Sequence, residues 1–554
     1  MALIRWAMHP FRPAFSERKF MSTNQPAEGA TAEASGRGAP DARQLRSILI
    51  AVCVALMAVI ASVTGLNVAQ PDMAVEFGAS QSTILWIINV YTLTLAALLL
   101  PLGAIGDRLG RKPMLITGLI IFGFAGALAG LAPSSEVMIA ARVLSGVGAA
   151  VIMPITLAVI TSTFPDEQRG KAIGVWTGVA GGGGIIGMFL SALLVDVADW
   201  RWLFVLPVVL VLVSLGMMRS VPNSRERSGH SFDTMGALAS VVAVVGLIFV
   251  LQEGPERGWG DPVTLTSLVA GLVALIFFVA WELRRRDAAL LDVRLFRERG
   301  LSGGSITLLV VFGVQAGVFV VLFPFLQAVL GWSGLLSTLA MMPMAVLMMM
   351  TSGLAHKSAA RIGARPTMAA GIALFGAGLA LMAGIVSVDG GYLSILPGML
   401  AMGIGMGLSM TPSTEAITSS LSREKQGVAS ALNDITREFG TALGIALLGA
   451  LLASGYRSAI DDRLGGIPQG AADAARQGVA NAIEAAGTAG SHAQALVDAA
   501  RQSFVDGWQQ AMWAGVVVMG LLFVYTAVRG PQNKLSTSAD EEKTPEDRHP
   551  QVTA

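Results

Sequence analysis

The chain has one cysteine, Cys53, in 554 residues. No disulfide within the chain can staple it, and cysteine says nothing about compartment. Charge is scarce too. Asp, Glu, Lys and Arg make up 14% of the residues, against about one quarter in a soluble domain, which excludes an ordinary water-soluble enzyme. The five histidines are scattered, so no histidine metal cluster is indicated. There is no G-x-x-x-x-G-K-[ST] phosphate loop, and nothing points to ATP as an energy source. Neither an enzymatic centre, a cofactor, a metal nor a nucleic-acid partner is expected. The first twenty residues, MALIRWAMHPFRPAFSERKF, lack the apolar core of a signal peptide, and Met21 is the expected natural start.

What the chain does have is apolar length. Hydrophobic residues make up 53%, mean hydropathy is +0.64, and there are 64 glycines. A spanning helix needs about 20 mostly apolar residues. Fourteen segments qualify: 48–68, 84–106, 113–132, 135–163, 171–194, 201–220, 233–252, 264–283, 302–326, 334–355, 367–387, 393–416, 427–453 and 507–528. The expected fold is an all-α polytopic membrane protein whose natural surroundings are the lipid bilayer.

An even number of spans puts both termini on one side. Loops after even-numbered segments carry nineteen Lys and Arg; those after odd-numbered ones carry two, leaving aside the long loop 454–506. The positive-inside rule then predicts cytoplasmic termini. Residues 1–47 and 529–554 are polar and read as disordered cytoplasmic tails. Within 454–506, AADAARQGVANAIEAAG and HAQALVDAARQSFVDG have amphipathic spacing. That loop is expected to be helical outside the membrane, as a cap over the external mouth or as a partner surface.

The organising stretch is 101–115, PLGAIGDRLGRKPML, a short basic loop between two apolar segments. Gly103 and Gly110 permit close helix packing and a sharp turn. Asp107 can pair with Arg108, Arg111 or a facing helix end, as a latch. The alternative is a solvated loop with topological meaning only. Residues 353–365, GLAHKSAARIGAR, repeat the glycine–basic ending without the acid. Such repeats suggest two related bundles with a binding site between them.

GAIGDRLGRK (103–112) resembles the cytoplasmic signature of the major facilitator superfamily, and ARVLSGVGAA (141–150) its fourth-helix motif. WRWLFVLP (200–207), residues 426–452 and the count of fourteen are similar to its 14-spanner drug:H+ antiporter subfamily. The resemblance implies a major facilitator fold: six-helix bundles at 48–220 and 302–528, with two inserted helices in the 221–301 linker. It also implies alternating-access export of small amphipathic compounds driven by protons, with the Asp107 loop as gate.

Two motifs depart from the family pattern. In GVAGGGGIIG (178–187), Gly184 stands where the antiporter motif has proline, and Gly183, Gly184 and Gly187 remain as packing glycines. In SVTGLNVAQP (62–71), Ser62 stands where the family carries an aspartate, leaving Asn67 as a polar handle.

The proton-coupling candidates are Asp434, Arg437 and Glu438 in the thirteenth segment and Arg142 in the fourth. Asp434 and Glu438 are one turn apart with Arg437 between them. Counting from Gln426, Glu438 lies roughly 18 Å deep, where a carboxylate can exchange between charged and neutral forms. A structural pair, Arg437 with either acid, is the alternative. Arg142 is either structurally paired or part of a proton relay. The substrate cavity, apolar with a few polar points, is expected to draw on Asn67, Trp86, Asn89, Tyr91, Gln315 and Phe323. Export of one endogenous metabolite or lipid is the second functional reading, and a transport-inactive membrane adaptor the third.

Overall fold

Several of the spanning helices begin at a residue whose side chain caps them. The computed structural model describes residues 41–66, 69–224, 232–285, 288–487 and 489–531. Seventeen α-helices run along them: α1 Ala42–Gly65, α2 Gln70–Phe77, α3 Gln81–Leu109, α4 Arg111–Gly130, α5 Ser135–Thr163, α6 Asp166–Val197, α7 Val205–Met217, α8 Thr234–Arg257, α9 Pro262–Arg285, α10 Arg299–Pro324, α11 Gly334–Ile362, α12 Ala364–Ile385, α13 Gly391–Ser419, α14 Gln426–Asp461, α15 Gln469–Gln477, α16 Val479–Ala486 and α17 Ala493–Arg529. No strand occurs among the described residues. Ser80, Asp233 and Ser333 accept hydrogen bonds from the backbone N–H three residues on and cap α3, α8 and α11.

Fourteen of these helices are long and apolar enough to span a membrane, as the sequence predicts. The chain is a multi-pass membrane protein. The apolar faces turned outward fit a bilayer as solvent. On α9, for example, Val269, Val273 and Ile276 are exposed, which water would penalise and lipid does not.

Three boundaries differ from expectation. The side chain of Asp41 accepts from the Gln44 N–H at 2.7 Å. That cap starts α1 at Ala42, so 42–47 is helical rather than part of a disordered tail. The short loop after α1 holds the extra helix α2. Helices α14 and α17 run 36 and 37 residues, longer than a bilayer requires, and carry α15 and α16 between them. The rest of both expected tails, 1–40 and 532–554, and Asn67 lie outside the described residues.

The glycine–basic repeat has a backbone counterpart. Gly110 joins α3 to α4 with φ +109°, and Gly363 joins α11 to α12 with φ +96°. Both turns use a conformation that side chains disfavour, at matching places in the two halves. Between the halves, α3 and α5 pack on α14, and α6 packs on α11 and α13. Helix α8 lies against α3 and α14, with α9 packed on α8.

Candidate functional site

The charged loop 101–115 resolves into a latch between the two halves. Asp107, at the end of α3, is 1% exposed. Its carboxylate accepts from the Gly427 N–H (2.9 and 2.8 Å to its two oxygens) and from the Val428 N–H at 3.2 Å. Those amides belong to the first turn of α14, where backbone N–H groups lack helical partners and the helix dipole favours an anion. Arg111 clamps the other side. Its Nε and Nη2 donate to Asp107 at 3.1 and 2.7 Å, and Nη2 also donates to the carbonyls of Arg423 and Glu424. Arg108 turns away, with its guanidinium 5.6 Å from the Phe232 ring centroid. A second tie joins Arg423 to Asp166 at 2.8 Å.

Deeper along α14, the three candidates separate. Asp434 is fully buried and accepts from Asn433 at 3.1 Å and from Arg437 at 3.4 Å. Arg437 also donates to the Ala180 carbonyl on α6 at 3.4 Å. Its guanidinium stacks on Phe312, 4.3 Å from the ring centroid, with Trp176 at 5.7 Å. Arg437 therefore ties α14 to α6 and pairs with Oδ1 of Asp434, while the buried Oδ2 has no hydrogen-bond partner among the described residues. Glu438 has no ion-pair partner among the described residues, and it is half-buried. It also lies within electrostatic range of Tyr91.

Arg142 sits in the second turn of α5 and is 1% exposed. Its Nε donates to the Ile87 carbonyl at 3.3 Å, and its Nη1 to the Ser62 carbonyl and hydroxyl at 3.4 and 3.1 Å. The guanidinium lies 4.2 Å from the Tyr91 ring centroid, a cation–π contact.

The close helix approach on α6 is made one face round from Gly183, Gly184 and Gly187. A Cβ added at Gly174 would lie 2.6 Å from the Ser352 carbonyl, at Gly178 3.3 Å from Met349, and at Gly182 2.6 Å from the Met349 side chain. These three, spaced by four, press α6 onto α11. Gly183 instead faces Met57 on α1, Gly184 is half-buried and Gly187 is buried.

The comparisons with known proteins agree with this arrangement. A family model described as Major Facilitator Superfamily matches residues 51–445. The chain belongs to the Major Facilitator Superfamily. It is 30% identical over 75% of its length to the multidrug resistance protein Stp of Mycobacterium tuberculosis (strain CDC 1551 / Oshkosh), covering 77% of that protein. It is 32% identical over 80% of its length to the multidrug efflux pump LfrA of Mycolicibacterium smegmatis (strain ATCC 700084 / mc(2)155), covering 88% of it. Among solved structures, the MFS proton:xylose symporter XylE, bound to 6-bromo-6-deoxy-D-glucose, superposes with TM-score 0.57 at 14% identity. That match covers 87% of this chain and 95% of the other, and it speaks to the fold. The fourteen spans and the efflux proteins among the relatives agree with the 14-spanner branch to which the motifs pointed.

In this major facilitator chain, the closure between halves is one-sided. Among the described residues, the hydrogen bonds and ion pairs that join α1–α7 to α10–α17 fall between the 107–111 loop and the level of Arg437. None lies towards the opposite face. Of the cavity candidates, Tyr91 and Gln315 are buried, and Asn89 and Phe323 are half-buried. Trp86 is half-buried with its ring 6.1 Å from that of Phe249 on the inserted α8.

Sequence reasoning missed Gly427, Asn433, Trp176 and Phe312. Gly427 carried one usable signal, a glycine in the first turn of a long helix, where bare backbone can meet an anion. The two aromatics carried none, because their role depends on where Arg437 points from another helix.

Proposed function

We propose that the chain exports small amphipathic compounds by alternating access, driven by proton entry. The latch carries this reading: a buried carboxylate on one half, held by helix-end amides of the other, is a device that can be made and broken as the halves rock. The names of the relatives, a multidrug resistance protein for Stp and a multidrug efflux pump for LfrA, support a drug-like substrate class. The assigned orientation has both termini cytoplasmic, in the cytoplasmic membrane of a bacterium, following the placement of Lys and Arg. On that orientation the closed face is the cytoplasmic one, and this conformation faces outward. The moving bodies are 48–220 and 302–528, with 221–301 contributing the inserted pair.

Glu438 is assigned the proton-carrying role and Asp434 the task of neutralising Arg437. Glu438 is the half-buried α14 acid that makes no ion pair among the described residues. Protonating it removes a charge from the bundle interface and shifts the balance between the two states. The test is ethidium and proton flux in inverted vesicles with and without a pH gradient. Gradient-dependent ethidium uptake accompanied by proton release is the expected result; uptake that ignores the gradient overturns the coupling.

A further inference from the structure

Three arginines are buried among the described residues: Arg111, Arg142 and Arg437. Arg111 holds Asp107 at 2.7 Å and Arg437 holds Asp434 at 3.4 Å. Arg142 holds no carboxylate. Its hydrogen-bond partners are two backbone carbonyls and one hydroxyl, all neutral. Its Nη2 has no acceptor among the described residues. A guanidinium removed from water without a counter-charge is costly, and Arg142 is as buried as the two that are neutralised.

The surroundings sort what can neutralise it. Tyr91, itself fully buried, covers one face of the guanidinium. Ser62 on α1 occupies Nη1 with a hydroxyl that contributes no charge. The nearby acid, Glu438, comes from the other half of the molecule and makes no ion pair with Arg142 in this conformation. One nitrogen edge remains to accept a single negative charge.

We infer that Arg142, Ser62 and Tyr91 form a binding site for a monovalent anionic group, a carboxylate or sulfonate carried by an amphipathic substrate. A free chloride ion offers the same charge at the same nitrogen, and the experiment separates the two sources. The site extends the export reading by naming a substrate class: amphipathic anions and zwitterions, their charge at Arg142. Transport of that class rests on the export reading; binding does not.

Ser62→Asp is the decisive variant. The Ser62 hydroxyl already lies 3.1 Å from Nη1, so a carboxylate there supplies the missing charge from within and closes the site to outside anions. Purified protein in detergent is heated in sodium gluconate, in sodium chloride, and in gluconate with 1-naphthalenesulfonate or the uncharged 1-naphthalenemethanol. The expected result is a rise in unfolding midpoint of about 3 °C or more with naphthalenesulfonate for the wild type. The uncharged analogue and Ser62→Asp give no rise. A rise with chloride as well identifies the free ion as a competing occupant. Equal shifts in wild type and Ser62→Asp, or none in either, overturn the site. If Ser62→Asp does not fold, Arg142→Lys, which keeps the charge and loses the fork, must weaken the shift.

Proteoliposomes then supply the transport arm. The ratio of carboxyfluorescein to ethidium efflux falls at least about tenfold in Ser62→Asp, the equivalent of one lost charge-assisted contact. Anion binding without movement of either dye leaves the site standing and sinks the export reading instead.

Discussion

Asp107 and Gly427 are 320 residues apart and meet carboxylate to backbone amide at 2.8 Å. A Cβ on Gly427 would lie 2.8 Å from that same carboxylate oxygen, so the contact exists only because residue 427 has no side chain. The latch is a relation between an acid and an absence, one in each half of the molecule.

Removing the charge loosens the latch. Asp107→Asn keeps the shape and loses charge-assisted hydrogen bonds worth about 1.5–3 kcal/mol each. Ser430 is fully buried on α14 behind the latch. In a Cys53→Ser background, Ser430→Cys is expected to react with a maleimide at least about tenfold faster when Asp107 is Asn. Unchanged labelling would mean that the loop holds nothing closed.

Restoring a side chain at the contact does the same from the other side. Gly427→Ala forces its methyl into the Asp107 carboxylate and costs about 1–3 kcal/mol in closure. Gly384→Ala, where nothing lies within 4 Å, is the matched control. Efflux of ethidium from energised cells is expected to fall in the first and stay near wild type in the second.

Asp434 and Glu438 of α14 separate by phenotype. Glu438→Gln leaves no buried charge unpaired, so the protein is expected to fold normally while losing gradient-driven efflux. Asp434→Asn strips Arg437 of its carboxylate and costs about 3–5 kcal/mol, visible as a lowered unfolding midpoint and reduced yield. Intact proton-driven efflux in both variants removes the coupling role from this helix.

The α6–α11 seam is sensitive to size. Gly178→Val places methyl groups where the Met349 backbone lies 3.3 Å from the first added carbon, and overpacking of this kind costs about 1–3 kcal/mol. A drop in thermal midpoint with the latch cysteine still protected locates the damage in the seam. An undisturbed midpoint would show that the helices separate there at no cost.

Much of the fold is legible in the sequence because transmembrane helices are set by local chemistry. A run such as 135–163 must satisfy its own backbone hydrogen bonds in lipid, so length and hydropathy alone announce it. Gly110 and Gly363 end their helices for equally local reasons. Legibility fails where neighbours in space are strangers in sequence. The spacing of Asp434, Arg437 and Glu438 put them on one helix face but left open which acid takes the arginine. Phe312 and the Ala180 carbonyl fix that choice from α10 and α6. The glycine cluster of α6 was visible as a cluster, yet the residues that press on α11 are Gly174, Gly178 and Gly182, since only the docked partner reveals which stripe faces it.

By itself, then, the sequence determined the fourteen spans, the turns that join them, and an acid–arginine loop suited to gating, because each follows from hydropathy, backbone sterics or charge within a few residues. Tertiary structure alone decided that Asp107 closes on Gly427, that Arg437 is neutralised and that Arg142 is not. Those outcomes depend on which side chains two packed halves bring within 3 to 4 Å, and Coulomb and hydrogen-bond energies at that range are far larger than those at the next neighbour.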